Sequence, residues 1–287
     1  MKFAVFSVSI PDYTPEVAVQ KLKEIGYDGI EWRVIDQEAD ATKPASFWAN
    51  NKATLPFSTL EQDAPAWKKL TEEAGLEIPG LGTYVLCDDL AGVEQAMRGA
   101  KAMGVSQLRV RVPNYDGIEA FRPIWDTARG QYRDVVGLGE KHGVKVLLEL
   151  HHRSIVPSAS AARLFLDDLD PAHVGVIHDA GNMVYEGYET HRLSFEMLGP
   201  YLAHVHVKNA RWFPQKYNED GSVSWQCDWA PVGKGIIDMR ALFVAMRAFG
   251  YDGWVGVEDF STEKPLLERL TGNLEYLRLL ERETRVS

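Results

Sequence analysis

A single (β/α)8 barrel is the fold that this sequence predicts, because short apolar segments alternate with helical segments eight times. The apolar segments are rich in Val, Ile or Leu, as strands buried on both faces are. These strand candidates are Lys2–Val8, Gly29–Val34, Glu77–Val85, Gln107–Val112, Lys145–His151, Val174–Asp179, Leu202–Lys208 and Gly253–Asp259. An open doubly wound sheet would carry a glycine-rich phosphate turn after its first strand. The turn here, Ser7–Pro11, has no Gly, so a closed barrel is favoured.

Segments with helical periodicity lie between these strands, and several of them are followed by a glycine that indicates a helix end. Gly26, Gly104 and Gly250 each follow a helical segment, where a left-handed cap is expected. Thr14 followed by Pro15 is typical of a helix start. The predicted helices are Pro15–Ile25, Leu60–Ala74, Gly92–Met103, Phe121–His142, Ala159–Leu169, Leu193–Leu198, Met239–Phe249 and Pro265–Glu283. We therefore expect residues 1–287 to form one domain.

Composition excludes several functional classes. The formal net charge is −10 and no run of Lys and Arg interrupts it, so nucleic acid and anionic membranes are not expected partners. Cys87 and Cys227 are the only cysteines, which is too few for a disulfide framework or a thiolate zinc site. The first residues fit a strand better than a signal peptide, and no apolar run is long enough to span a membrane. We expect a cytoplasmic protein.

Two long connections, Ile35–Ser58 and Ala210–Ile236, follow the second and seventh strands. Both belong to the β-to-α side, which is the active-site face of a barrel. Connections of this length are typical of lids or binding loops. The second one is rich in aromatic residues: Trp212, Phe213, Tyr217, Trp225 and Trp229. Packing on a neighbouring subunit is the alternative, and a homo-oligomer would then be expected.

Ionisable side chains close four consecutive strands, at Glu149, Asp179, His206 and Glu258. In a closed barrel these ends surround one mouth, where converging charges need a compensating ion. We predict one divalent metal ion held by these four residues. An oxygen-rich ligand set favours Mn2+ or Mg2+, with Co2+ or Zn2+ as further candidates. His206 is preferred to His204 because it lies nearer the mouth on the same face.

The chain resembles the sugar phosphate isomerase/epimerase superfamily, the xylose isomerase-like TIM barrels. This group also includes endonuclease IV, ketose 3-epimerases and inosose dehydratases. The matching motifs are Gly29-Ile-Glu31-Trp32, Glu149-Leu-His151, Asp179-Ala-Gly-Asn182, His204-Val-His206-Val-Lys208-Asn209, Val232-Gly-Lys-Gly-Ile-Ile-Asp238 and Val257-Glu258. The resemblance implies the same four metal ligands, Glu149, Asp179, His206 and Glu258.

The sequence departs from the ketose 3-epimerases that it resembles at two positions. Those enzymes carry a second catalytic Glu six residues after the ligand on the fifth strand, where this chain has Ile155. They also carry a His three residues after the Asp of the sixth strand, where this chain has Asn182. A full set of ligands for an endonuclease IV-like three-metal site is not found either.

Other polar residues at strand ends are candidates for catalysis or substrate binding. Glu31, His151 and Lys208 are the candidate proton carriers. The candidate substrate-binding residues are Arg33, Tyr84, Arg111 and Asn182. Arg111 is suited to clamp a carboxylate or phosphate, although an ion pair with acids at the barrel mouth is the alternative. For Lys208 the alternative is charge balance for the carboxylates.

These features predict a metal-dependent isomerase or epimerase that acts on a sugar, keto-sugar or related polyol. Adjacent hydroxyl and keto oxygens of the substrate would chelate the ion, which polarises the carbonyl while a base moves the neighbouring proton. A lyase, such as a dehydratase of the inosose or dehydroshikimate type, is the first alternative. A non-catalytic sugar-binding barrel is the second.

Overall fold

The computed structural model describes residues 1–38, 40, 42–187 and 189–285. Within these residues the strands are β1 (Lys2–Phe6), β2 (Gly29–Val34), β3 (Thr54–Leu55), β4 (Leu81–Thr83), β5 (Gln107–Arg109), β6 (Lys145–Glu149), β7 (Val174–Asp179), β8 (Leu202–Val207), β9 (Asn209–Tyr217), β10 (Val223–Ala230) and β11 (Trp254–Val257). The helices are α1 (Pro15–Ile25), α2 (Leu60–Glu73), α3 (Leu90–Met103), α4 (Phe121–His142), α5 (Ala159–Phe165), α6 (Ala180–Met183), α7 (His191–Leu198), α8 (Met239–Phe249) and α9 (Leu266–Glu283).

The predicted closed barrel is confirmed. Among the described residues, eight strands run parallel in the order β1, β2, β4, β5, β6, β7, β8 and β11. The barrel closes where β11 pairs with β1, with Val257 opposite Val5. One hydrophobic core joins the barrel to the helices that surround it. Because all strands are parallel, their carboxyl ends meet at one mouth.

Several barrel strands are shorter than their apolar segments predict. The first strand gives way to a 3-10 turn at Ser7–Ser9, and β6 ends at Glu149 instead of His151. Arg111 pairs with Leu86 only through an isolated bridge. The ends of β1 and β6 that are shortened lie at the mouth of the barrel, where the chain leaves the sheet.

The long connection after β8 forms an antiparallel hairpin, β9 and β10, instead of an irregular loop. Along β10 apolar residues alternate with polar ones, which suits a ribbon with one face turned toward the protein. Trp229, at its inner end, is partly buried, whereas Trp225 is 58% exposed. The hairpin thus carries one indole toward the barrel mouth and another into solvent.

The boundaries of α1 and α8 follow the expected end signals, whereas α5 ends at Phe165, four residues before the predicted Leu169. The Thr14 hydroxyl accepts a hydrogen bond from the Val17 amide at the start of α1, and Pro15 occupies the first turn. Gly26 ends that helix with a φ of 104°, a left-handed conformation that favours glycine. At α8 the Asp238 side chain accepts from Ala241, and Gly250 forms the cap at the other end. These local signals set the helix lengths and so the alignment of the strands.

Candidate metal centre

The four predicted metal ligands come together at the mouth of the barrel. Glu149 ends β6, Asp179 ends β7, His206 lies near the end of β8 and Glu258 follows β11 directly. Each offers one ligand atom, and these atoms all lie within 4.8 Å of one another. All four side chains are buried. The positions follow from the topology, because β6, β7, β8 and β11 are neighbours in the barrel.

His206 presents an unused ring nitrogen to this cluster. Its Nδ1 is buried and has no hydrogen-bond partner among the residues that the structure describes. Nδ1 lies 3.8 Å from Glu149 Oε1 and 3.8 Å from Asp179 Oδ2, too far for hydrogen bonds. Ligands that share one ion with bonds of about 2.1 Å are about 3.0 to 4.2 Å apart. The spacing therefore fits a shared metal ion.

The charge balance of the cluster also fits a divalent ion. In the described part of the centre, four carboxylates meet two permanent cations, Arg109 and Lys208. The carboxylates belong to Glu31, Glu149, Asp179 and Glu258, and all are buried. When Glu258 is ionised and His206 is neutral, as metal binding requires, two negative charges are left over in a site of low dielectric constant, where uncompensated charge is costly. A 2+ ion would neutralise them.

Glu31 contacts the opposite side of the His206 ring. Its Oε2 lies 2.9 Å from His206 Nε2 and 3.3 Å from His204 Nε2. A carboxylate at neutral pH only accepts hydrogen bonds, so Nε2 of His206 carries a proton. Whenever the ring is neutral, its lone pair is therefore on Nδ1, on the side of the other three carboxylates. His204 lies deeper in the barrel than His206, as the strand alternation predicts.

Gly256 on β11 makes room for these histidines. A Cβ at this position would lie 2.7 Å from His206 Cδ2 and 3.0 Å from His204 Nε2. Below them the Phe6 ring stacks on His206, with centroids 5.8 Å apart. The lack of a side chain at Gly256 and the stacking of Phe6 together fix the orientation of the His206 imidazole.

Three polar side chains hold the carboxylates of the cluster. Arg109 Nη1 donates to Glu149 Oε2 at 2.5 Å, and Asn182 Nδ2 donates to Glu149 Oε1 at 3.3 Å. Lys208 Nζ lies 2.7 Å from Asp179 Oδ2 and also donates to Glu258. The carboxylates are thereby oriented by Arg109 at the end of β5, Asn182 on α6 and Lys208 directly after β8.

The surroundings shift the pKa values of the cluster in different directions. Burial raises the pKa of Glu258 to about 7, because it outweighs the attraction of Lys208. Burial alone would also raise the pKa of Glu149, but Arg109 holds it well below its usual value. For His206 burial lowers the pKa, yet Glu31 and the facing carboxylates hold it well above its usual value. Lys208 stays charged, since Asp179 and Glu258 outweigh burial and raise its pKa.

A cavity of about 490 Å³ opens above the cluster. Glu149 and Glu258 form part of its wall. The predicted catalytic and substrate-binding residues that line it are His151, Lys208, Tyr84, Arg111 and Asn182. Glu31 and Arg33 do not line it: Glu31 lies behind His206, and Arg33 bonds Thr54, Gln37 and the Trp48 carbonyl. Both side chains are buried.

Aromatic residues line one wall of the cavity, and the sequence does not predict most of them as site residues. His152 stacks between His151 and Tyr185, with centroids 4.5 and 4.3 Å away. Trp229 lies 5.1 Å from Tyr185 and 5.4 Å from Phe260. Trp48, at the rim, is 5.0 Å from Phe260. The aromatic content of the two long connections was the available signal for Trp48 and Trp229, but not for their arrangement.

Comparisons with known proteins agree with this architecture. The family model of the xylose isomerase-like TIM barrel matches residues 19–280. An inosose dehydratase of Geobacillus thermodenitrificans (strain NG80-2) is 27% identical over 172 residues, which are 56% of this chain and 57% of that protein. The chain thus spans little more than half the length of this relative.

Solved structures match over nearly the whole chain. A 3-keto-D-glucoside 4-epimerase from E. coli superposes with a TM-score of 0.72 at 19% identity, covering 97% of this chain and 99% of the other. A D-psicose 3-epimerase with D-tagatose, from Clostridium cellulolyticum H10, gives a TM-score of 0.73 at 16% identity, covering 98% and 99%. At these identities the likeness shows the fold alone.

In the described residues we find no helix that is both long and apolar enough to cross a membrane. The barrel topology and the match to residues 19–280 lead to one assignment. The chain belongs to the xylose isomerase-like TIM barrel family.

Proposed function

We propose that this protein is a divalent-metal-dependent isomerase or epimerase that transfers a proton next to the carbonyl of a sugar, keto-sugar or related polyol. The observation that carries this proposal is the unpartnered Nδ1 of His206, which faces Glu149 and Asp179 below an open cavity. Once the ring is deprotonated at Nδ1, a buried lone pair aimed at carboxylates is costly unless a cation lies between them.

Glu149, Asp179, His206 and Glu258 are the residues that would hold the ion. Three carboxylates and one imidazole favour Mn2+ or Mg2+, while Co2+ and Zn2+ also accept such ligands. When bound, a divalent ion supplies Lewis acidity that polarises a carbonyl and stabilises negative charge on its oxygen. Glu31, His204 and Gly256 surround His206 and would keep the Nδ1 atom of His206 in place.

His151 is our choice for the proton carrier. Its Nδ1 lies 2.7 Å from the His152 carbonyl oxygen, which only accepts, so Nδ1 carries the proton. Nε2 therefore has a free lone pair in a ring that lines the cavity. Burial lowers the pKa of His151, which keeps the imidazole neutral and able to accept a proton at pH 7.

Lys208 and Glu31 have other roles in this proposal. The pKa of Lys208 is raised, so its ammonium remains protonated and balances Asp179 and Glu258 instead of acting as a base. Glu31 is separated from the cavity by His206 and orients that ring. Asn182 links the centre to the aromatic wall, because its Oδ1 accepts from His152 Nδ1 at 3.0 Å.

A dehydratase is the second candidate, and the absence of a second Glu favours it. Elimination of a β-hydroxyl needs a proton donor for the leaving oxygen as well as a base. Burial lowers the pKa of His152 to about 4, so the donor in this candidate is His151, which returns the proton that it has taken from carbon. Ile155, where the resembling epimerases have their second Glu, is buried at 2% exposure and offers no acid–base group. The inosose dehydratase relative supports the same candidate.

Proton exchange in D2O would test the proposal. The protein is stripped with a chelator, reloaded with Mn2+ or Mg2+, and incubated with keto-sugars, a keto-inositol or 3-dehydroshikimate. We expect the substrate to take up deuterium at the carbon next to its carbonyl only when the reloaded protein is present. NMR of the substrate measures this uptake. Sugar interconversion without enone absorbance supports the isomerase or epimerase, whereas enone absorbance supports the dehydratase.

Two variants test the metal centre, and a third serves as the control. Glu149→Gln and His206→Ala should lose the bound metal, while Glu77→Gln, an exposed glutamate paired with Lys2, should keep it. Unchanged metal content in the first two variants would refute the metal centre. Tight polyol binding by the reloaded protein without exchange or turnover would instead favour a non-catalytic sugar-binding barrel.

A further inference from the structure

We infer that the substrate carries an anionic group, a carboxylate or a phosphate, which Arg111 binds at the end of the cavity next to Tyr84. This inference rests on the proposed function, because it describes a second end of the same substrate. It narrows the substrate class from sugars and polyols in general to their acidic derivatives.

Three guanidinium groups surround the Tyr84 ring. The Cζ atoms of Arg109, Arg33 and Arg111 lie 4.8, 5.1 and 5.8 Å from its centroid. Cations gather on an aromatic face because of its negative quadrupole, but that attraction does not cancel the repulsion among three full charges. A nearby anion is needed to compensate them.

Only one of the three arginines has a carboxylate partner in the described part of the chain. Arg109 pairs with Glu149 at 2.5 Å, and Glu149 belongs to the metal centre. Arg33 donates to neutral oxygens, such as Thr54 Oγ1 at 2.7 Å. Arg111 reaches just one side-chain acceptor, the amide oxygen of Asn114 at 3.4 Å. Among the described residues, the guanidinium groups of Arg33 and Arg111 thus have no ion-pair partner, in a protein of net charge −10.

Arg111 is the member of this group that a ligand can reach. It is partly buried and lines the cavity, whereas Arg33 is 2% exposed and lies behind Tyr84. Burial and repulsion by Arg109 lower the pKa of Arg111, and the attraction of Glu149 does not cancel them. The guanidinium fork matches a carboxylate or phosphate with two parallel hydrogen bonds.

The two ends of the cavity would then bind different parts of one molecule. Arg109 connects them, since it contacts Glu149 of the metal centre and packs on Tyr84 beside Arg111. His151 lines the same cavity as Glu149 and Arg111. A substrate held at both ends would place its reacting carbon next to this imidazole.

Calorimetry with three ring-shaped probes tests the inference on the metal-loaded protein. The probes are myo-inositol, which is neutral, shikimate, which carries a carboxylate, and myo-inositol 1-phosphate. We expect at least one of the two anionic rings to bind with an affinity at least about tenfold higher than that of myo-inositol. If shikimate binds more tightly than myo-inositol 1-phosphate, the subsite prefers a carboxylate. The opposite order indicates a phosphate.

Arg111→Gln should weaken binding of that anionic ring about tenfold and leave myo-inositol binding and metal content unchanged. The matched control is Arg122→Gln, an arginine that is 77% exposed and paired with Asp126 on α4. Equal affinity for all three rings, or equal weakening of all three by Arg111→Gln, would overturn the anionic subsite alone. Failure of the loaded protein to bind any ring would contradict the proposed polyol site as well.

Discussion

The carboxylate of Glu31 lies directly behind His206, with its Oε2 2.9 Å from Nε2 of the imidazole. Two residues far apart in sequence thus form a carboxylate–histidine pair whose free nitrogen faces the candidate metal ligands. Outer carboxylates of this kind fix the tautomer and orientation of a metal-binding imidazole.

Glu31→Gln should therefore weaken metal binding without removing a ligand. The amide can still contact Nε2, but it has no negative charge and can turn its NH2 group toward the ring. We expect the dissociation constant for Mn2+ to rise about 10- to 100-fold, measured by calorimetry. Glu77→Gln, which changes an exposed glutamate, is the control. An unchanged affinity in Glu31→Gln would contradict the positioning role.

Metal binding should release protons and weaken as the pH falls. In the metal-free centre the pKa of Glu258 is raised to about 7 and that of His206 is raised well above its usual value, so both groups bind protons near neutrality. The ion must displace these protons. We expect about one to two protons released per ion at pH 7, and a steady loss of affinity from pH 8 to pH 6.

Calorimetry in buffers of different ionisation enthalpy measures this proton release. Glu258→Gln should bind metal more weakly and release fewer protons, because the group that titrates near pH 7 is gone. An affinity that does not change between pH 6 and pH 8 would rule out protonated Glu258 and His206 in the metal-free state.

His151→Gln should abolish proton transfer while the metal stays bound. The amide has no basic nitrogen, and loss of a general base costs about 100- to 10,000-fold in kcat. Metal content and the affinity for myo-inositol should match those of the unmodified protein. The measurement is deuterium incorporation next to the substrate carbonyl, followed by NMR. Full exchange in this variant would show that another group is the base, and His152 is the nearest candidate.

Arg109→Met should destabilise the metal-free protein more than the metal-loaded one. The change leaves the Glu149 carboxylate buried with only Asn182 as a side-chain donor among the described residues. Breaking a buried ion pair from one side costs about 3–5 kcal/mol, and a bound cation would compensate part of that loss.

Urea unfolding with and without Mn2+ checks this difference. Arg122→Met, which breaks the exposed pair with Asp126, should change the free energy of unfolding by less than about 1 kcal/mol. If Arg109→Met were as mild as this control in the metal-free state, the buried pair would not be the main support of Glu149.

Sequence periodicity was sufficient for the barrel and for the location of the candidate metal centre. Glu149, Asp179, His206 and Glu258 stand at or near the ends of strands that are sequential neighbours, and parallel strands bring those ends to one mouth. The choice of His206 over His204 also required only the alternation along one strand. These inferences depend on backbone geometry, which is regular.

The roles of the surrounding residues depend on contacts between distant segments. Glu31, Lys208 and His151 are equivalent by sequence, since each is a polar residue near a strand end. In the fold Glu31 lies behind His206, Lys208 is held by Asp179 and Glu258, and His151 faces the cavity. The reason is that side-chain packing across the barrel decides which group is buried, paired or free.

The sequence by itself therefore determined the barrel and the convergence of the four candidate ligands, because strand order and alternation fix backbone positions. Only the tertiary structure decided which nitrogen of His206 is free, that Arg109 pairs with Glu149, and that Arg111 has no acidic partner among the described residues. Those properties depend on distances of a few ångströms between side chains from different strands and loops, which no pattern along the chain encodes.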